Sequence, residues 1–326
     1  MDRLLEIRGL RTHFDTAGGP VKVLDGLDLD VQAGTILGLV GESGSGKTVT
    51  AYSVLRLIRP PGRIVGGEIL FEGRNLLALS ASEMRKVRGA EISMIFQDPR
   101  GFLDPVARVG ALMAEIHRTH ASMSRGEARR RSLETLRTVG LPRPERVLRT
   151  YPHELSGGMA QRVMIGLALA SNPKLLIADE PTTALDVTIQ IEIIRLLGDL
   201  RERLGLTIVL ITHNLSVVAE ICDVVAVMYA GEIVEVAPAV EIFERPRHPY
   251  TVSLLKARPT LTPGERLTNI PGQIPDLLAP PPACRFEPRC FLAETICAEA
   301  APELRAIARD HRSRCHFAER LGEEAA

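Results

Sequence analysis

A chain of 326 residues can bury a full hydrophobic core and allows roughly two domains. Its 40 Lys and Arg balance 40 Asp and Glu, which argues against a basic nucleic-acid-binding surface as its main business. No apolar run approaches the roughly 18–20 residues of a membrane span, and the opening Met1-Asp2-Arg3-Leu4-Leu5-Glu6 does not read as a signal peptide. The expectation is an intracellular protein that serves any membrane through partner subunits.

The first strong pattern lies at residues 35–57. The apolar run 35–40 reads as a buried strand. It leads into Gly41-Glu42-Ser43-Gly44-Ser45-Gly46-Lys47-Thr48, which matches the phosphate-binding motif G-x-x-x-x-G-K-[ST]. A helix pattern follows over 47–57 and has stopped by Pro60-Pro61. Gly41, Gly44 and Gly46 let the loop wrap closely, so backbone N–H groups around Ser43 can point at an anion. The helix adds its positive N-terminal end. Lys47 would reach the β- and γ-phosphates, and the Thr48 hydroxyl would ligate magnesium.

Further along, Ser124-Arg125-Gly126-Glu127 reads as a capping box that opens a helix to about Val139, with Gly140 as its stop. Arg129, Arg130 and Arg131 read as its solvated face. Ser156 in Leu155-Ser156-Gly157-Gly158-Met159 is a good N-cap for a helix toward Ala170, and the two glycines leave backbone N–H groups uncovered for an anion. Leu175-Leu176-Ile177-Ala178-Asp179-Glu180 reads as a buried strand that delivers two acids to its C-terminal edge. A helix over about 187–204 should end at Gly205, and a strand is expected at 207–211.

These motifs, in this order, resemble the ABC-transporter ATPases. Residues 155–159 resemble the family signature, with Met159 in place of the usual glutamine. The resemblance implies that Ser156, Gly157 and Gly158 close over a nucleotide held by a second ATPase domain. It implies that Asp179 holds magnesium, and that Glu180 orients or polarises the attacking water. Gln97, after the apolar run 92–96, matches the residue that senses magnesium and the γ-phosphate and links to the membrane subunit. Asp186 in Thr183-Ala184-Leu185-Asp186 matches the loop that crosses the dimer interface, and it is also a plausible helix cap. His213 matches the switch histidine that contacts the γ-phosphate. Phe14 stacks on adenine by resemblance; a core phenylalanine is the competing reading.

The expected fold is α/β: a P-loop NTPase core with an antiparallel β portion, a helical subdomain and a small Cys-rich C-terminal extension. The core spans residues 1–96 and 173–245, the helical signature subdomain 97–172, and the linker with its C-terminal module 246–326. Neither an internal repeat nor a coiled-coil insertion is evident.

After Pro238 the chain changes character. His248-Pro249-Tyr250-Thr251 leads to a Pro-rich stretch, 259–282, that reads as an extended linker. Four of the five cysteines then cluster, Cys284, Cys290, Cys297 and Cys315, while Cys222 lies apart in an apolar segment as a core residue. This tail, residues 151–184 and the Met228-Tyr229-Ala230-Gly231 turn together resemble the ATP-binding subunits of dipeptide and oligopeptide ABC importers. Two departures are Gly101-Phe102-Leu103-Asp104-Pro105, near the family's membrane-subunit contact, and Asn214 after the switch histidine.

An intracellular setting disfavours disulfides. Four thiolates suit a zinc ion or an iron–sulfur cluster, and unligated thiols remain the third reading. The resemblance implies a [4Fe–4S] cluster on these four positions, with zinc as the alternative; Pro288 and Arg289 before Cys290 fit a tight ligand loop. His311 and His316 would be supporting donors or simply exposed.

The resemblance implies an ATP- and Mg2+-dependent ATPase that powers peptide import. Its expected partners are a second homologous ATPase in a heterodimer, two permeases and an extracytoplasmic substrate-binding protein, at the cytoplasmic face of the membrane, with no nucleic acid. A nickel importer is the cargo alternative. A soluble non-transport ABC ATPase is the alternative of a different class, against which the single P-loop, the single signature and the missing coiled coil all speak.

Overall fold

The computed structural model describes residues 2–120, 123–257 and 270–322. The proline-rich reading therefore falls outside the described residues at 259–269. Contacts divide the chain into two compact units, residues 1–32, 37–77 and 212–326 in one and residues 33–36 and 78–211 in the other.

The first unit holds an antiparallel sheet ordered Gly19–Gln32, Arg3–Thr16, Gly62–Phe71 and Arg74–Asn75. Alternation turns Leu5, Ile7, Leu10, Leu27, Leu29, Val31 and Ile69 into the core, where each is at most 2% exposed. The same unit pairs strand Ile36–Val40 in parallel with Val224–Tyr229. From there the chain continues antiparallel through Glu232–Pro238 and His311–Ser313 to Arg305–Ala308. The last two strands belong to the C-terminal tail, so the tail completes a sheet rather than hanging from one. Ile36–Val40 is buried at all five positions, as a strand covered on both faces must be.

The described part of the linker is extended, yet it is docked. The Lys22 N–H donates to the Leu277 carbonyl at 2.8 Å. The Leu278 side chain lies against Gly18 and Gly19 of the first hairpin.

The second unit carries parallel strands Ile92–Ile95, Leu175–Asp179 and Thr207–Ile211 in that spatial order. Between the first two, the described residues are helical: Val109–His120, Arg125–Thr138 and Gly157–Leu169 are the longest of these helices. They pack on one another. Ser124 caps its helix by accepting the Glu127 N–H at 3.3 Å, and Gly140 follows with φ of 72°. Arg129, Arg130 and Arg131 are exposed, and Arg130 pairs with Glu134 at 2.9 Å. Val187–Leu204 ends on Gly205 at φ 63°, as a left-handed C-cap requires.

His117 lies inside this helical packing at 1% exposure, and its Nε2 has no hydrogen-bond partner. Burial, with Arg131 adding to it, lowers its pKa from the usual histidine value. The neutral form is therefore the folded form. Stability contributed by this depressed group is present above the ordinary histidine pKa of about 6.5 and is lost as pH falls below it. His117→Leu should flatten the fall in thermal midpoint between about pH 6.5 and 5, measured by circular dichroism. An unchanged acid slope would contradict this account of His117.

Candidate functional site

The loop at 41–48 forms the turn that its sequence demands. Gly44 and Gly46 adopt φ of 81° and 108°, a region open to glycine and strained for L side chains. At Gly41 a Cβ would lie 2.1 Å from the Met228 carbonyl oxygen. Strand Val224–Tyr229 thus presses directly on the start of the loop. Ser43 and Gly44 are exposed, while Lys47 is 7% exposed with its ammonium donating to the Gly41 and Glu42 carbonyls at 2.8 Å each. Helix Lys47–Val54 follows with Gly46 as its N-cap and no side-chain capping hydrogen bond, and its positive N-terminal end favours an anion. It is three residues shorter than the sequence pattern suggests. Thr48 is half-buried in its first turn. Phe14 is half-buried against Gly62, where the missing Cβ makes room for its ring. His213 is exposed just beyond strand Thr207–Ile211. Asn214, next to it, caps the following helix by accepting the Ser216 and Val217 N–H groups.

In the second unit the two acids have different environments. Asp179 ends its strand at 2% exposure. Glu180 turns out of the strand at φ 47°. Its Oε2 accepts from Gln97 Nε2 at 3.3 Å and from Thr183 Oγ1 at 2.8 Å. Gln97 and Glu180 are 83 positions apart, and the parallel pairing of their strands brings them together. Ser156 caps Gly157–Leu169 through the Met159 N–H at 3.3 Å and is itself exposed. Gly157 and Gly158 sit tight under Leu185 and Ile189, where a Cβ at Gly158 would approach Ile189 to 2.9 Å. Asp186 caps Val187–Leu204 by accepting the Ile189 N–H at 3.0 Å, so its capping reading holds.

The four tail cysteines line one small cavity, together with His248, Phe286 and His316. None forms a disulfide. Backbone N–H groups of Leu292 and Phe317 donate to Cys290 Sγ and Cys315 Sγ at 3.4 Å. Burial pushes the Cys290 thiol up to about 11 and the Cys315 thiol to about 12. Among the described residues no three His, Cys, Asp or Glu side chains stand close enough to hold one metal ion. A zinc ion, which draws four thiolates to about 2.3 Å from one centre, is not accommodated as the side chains stand. Of the two histidines, His316 lines the cavity and sits 3.0 Å from the Ala300 carbonyl. His311 does neither of the things expected of it: it is buried and pairs with Glu235 at 2.8 Å. Cys222 is buried in the core, and burial raises its thiol to about 12.

Glu42, Tyr229 and Tyr250 stand in motifs of the sequence without a role of their own there, and Arg289 reads only as part of a ligand loop before Cys290. The Glu42 N–H donates to the Tyr250 hydroxyl at 2.8 Å, and the carboxylate meets Arg289. The three rings of Tyr229, Tyr250 and Phe286 pack with centroids 4.7–5.4 Å apart beneath this contact. The motif His248-Pro249-Tyr250-Thr251 carried a signal for this buried role; Glu42 sat at a variable position of its own motif and carried none.

Two family profiles match. "ABC transporter" covers residues 24–183 and "Oligopeptide/dipeptide transporter, C-terminal region" covers 234–297. The chain is 51% identical over 96% of its length to a probable peptide ABC transporter ATP-binding protein of Sinorhizobium fredii, 95% of which is covered. The chain belongs to the ABC-transporter ATPase family. It is also 50% identical to an oligopeptide transport ATP-binding protein of Bacillus subtilis, over 95% of this chain and 87% of that protein. Identity to a dipeptide transport ATP-binding protein of Escherichia coli is 44%, over 96% of each. Among solved structures, the dimeric bacterial ABC transporter cassette MJ0796 superposes with a TM-score of 0.65 at 28% identity, covering 72% of this chain and 98% of that one.

Gly41→Ala would drive a methyl into the Met228 carbonyl. The expected outcome is a loss of more than tenfold in affinity for a fluorescent ATP analogue, with a lower thermal midpoint. Parent-like affinity would mean that the loop can shift away from strand Val224–Tyr229 at no cost.

Proposed function

We propose that this ABC ATPase hydrolyses ATP to power the import of dipeptides or oligopeptides through a membrane transporter. The observation that carries the reading is the pairing of Gln97 and Thr183 on the Glu180 carboxylate, one residue beyond the buried Asp179. Phosphoryl transfer asks the protein mainly for positioning and charge neutralisation. In this reading Lys47 and the amides of 41–48 take the phosphates, while Thr48, Asp179 and Gln97 hold magnesium. Glu180 orients the attacking water and His213 contacts the γ-phosphate. Phe14 stacks on adenine. Peptide cargo is supported by the match of the C-terminal profile and by relatives named for peptide transport.

Ser156, Gly157, Gly158 and Asp186 act across an interface, on a nucleotide held by a second ATPase. Their exposure or half-exposure suits a surface that another chain covers. Val187 and Ile191, beside Asp186, are exposed apolar residues of the kind that such a partner buries. The second ATPase is a homologous, different chain. Phe102 and Val106 are 53% and 81% exposed on the segment after Gln97, and they offer the apolar contact for a permease. Among the described residues no helix is long and apolar enough to cross a membrane. In this reading two permease subunits carry the cargo across, fed by an extracytoplasmic binding protein. The functional division follows the motifs: an ATPase core, a helical signature subdomain and a cysteine-lined C-terminal module.

The reading for that module is an iron–sulfur cluster, since four cysteines are the donor set that such a cluster takes. Four unbridged thiols stand around one cavity without converging on a point, and two already receive backbone N–H donors of the kind that stabilise cluster sulfurs. Cys284, Cys290, Cys297 and Cys315 would each hold one corner of a [4Fe–4S] cluster, whose role would be structural. Each thiol would lose its proton on ligation.

Glu180→Gln should bind ATP within about threefold of the parent and release phosphate at least a hundredfold more slowly. Lys47→Ala should instead lose ATP affinity. Steady-state phosphate release and nucleotide titration of both variants decide, and near-parental turnover in Glu180→Gln would sink the assignment. Protein purified without oxygen should be brown with about four irons per chain. Colourless, metal-free protein with a protease-resistant tail would end the cluster reading and leave the ATPase reading intact.

A further inference from the structure

Glu42 is held at every polar group it has. Its carboxylate receives Arg289 Nη1 at 2.8 Å on Oε2 and Arg289 Nη2 at 3.0 Å on Oε1, a two-pronged fork. Its N–H donates to the Tyr250 hydroxyl at 2.8 Å. Its carbonyl accepts the Lys47 ammonium at 2.8 Å and the Ser45 N–H at 3.2 Å. Glu42 is the second residue of a loop whose amides must receive triphosphate, so its charge has the wrong sign for its place.

Arg289 answers that charge from the tail. A guanidinium has five N–H donors, and five bonds are made here. Beyond the two to Glu42, Nε donates to the Pro271 carbonyl at 2.7 Å, Nη1 to the Tyr229 hydroxyl at 3.3 Å and Nη2 to the Ile270 carbonyl at 3.3 Å. The side chain is 4% exposed and lies 5.7 Å from the Tyr229 ring centroid. Arg289 immediately precedes Cys290, one of the cavity-lining thiols. A second tether, Arg285 to Asp25 at 2.9 Å and to the Ala230 carbonyl, fastens the same module without touching residues 41–48.

We propose that Arg289 is a positioning residue for the phosphate loop: acting through Glu42, it fixes the loop's start and cancels a carboxylate that would otherwise repel triphosphate, so that ATP affinity depends on the folded cysteine-lined module. The inference rests on the reading of residues 41–48 as the triphosphate cradle. It gives the tail a direct part in nucleotide binding, one that a separately folded appendage would lack. Lysine cannot replace the fork, since it offers a point charge where two parallel donors are needed.

The test is a titration of full-length chain with a fluorescent ATP analogue, with limited trypsin digestion and thermal unfolding on the same samples. Arg289→Ala should weaken binding about tenfold and Arg289→Lys about threefold, losses typical of a broken charge-assisted pair. The decisive variant is Glu42→Gln combined with Arg289→Ala. It still lacks Arg289 but carries no uncancelled carboxylate, so it should bind at least threefold better than Arg289→Ala alone. A merely structural role for Arg289 would predict no such recovery. Asp25→Asn, which loosens the other tether, should raise trypsin sensitivity while leaving affinity within about twofold. Lys47→Ala tests the underlying site: parental affinity there refutes the cradle itself. Impaired Lys47→Ala with parental binding by Arg289→Ala overturns the proposal alone, and so does a double variant as weak as Arg289→Ala.

Discussion

A loop that binds triphosphate must keep successive backbone amides turned inward, against their own tendency to relax or to find other acceptors. Glycines permit that shape but do not enforce it. The enforcement comes from outside the motif. The Met228 carbonyl stands so close to Gly41 that no Cβ fits between them. The Gly231 N–H donates to the Ser45 carbonyl at 2.9 Å. Tyr250 and Arg289 hold Glu42. The remaining features of the first unit, its sheet order and its docked tail included, place these four supports around eight residues of loop.

The acids of the second unit follow a different logic. Asp179 is buried at a strand end, where a charge is tolerable only beside strong partners or a cation. Glu180 escapes the strand through a left-handed turn, a conformation that costs energy for a residue with a Cβ and recurs at functional positions. Gln97 and Thr183 then restrict the carboxylate. Strain in the backbone and restraint on the side chain together hold the Glu180 carboxylate in place, which suits the water-orienting role proposed for it.

Legibility in the sequence tracked how local each determinant is. The capping residues Ser124, Ser156 and Asp186, the stop at Gly205 and the strands 175–179 and 207–211 were readable because each depends on neighbours within four or five positions. The helix after Lys47 was read three residues too long, since its apolar pattern runs past the point where the chain turns at Leu55. His311 was misread because its partner Glu235 lies 76 positions away on a strand that gives no hint of the pairing. Glu42 and Arg289 are 247 positions apart, and nothing local to either predicts the contact. The docking of the linker was not legible, because proline and glycine say only that a chain is extended, not whether something receives it.

The docked tail also bears on where this cassette ends. A cut drawn at Ala257, just after helix Pro249–Lys256, would look conservative on an alignment of nucleotide motifs. It would remove Phe286 from the edge of Tyr229 and Tyr250, two of the largest fully buried side chains, and open their rings to water. It would leave Glu235 buried with neither His311 nor the strand His311–Ser313 beside it. Strand Glu232–Pro238 would then become a bare sheet edge next to newly exposed aromatic surface, a combination that invites self-association. The shortest soluble form of this ATPase is thus set by its last strand rather than by its last nucleotide motif.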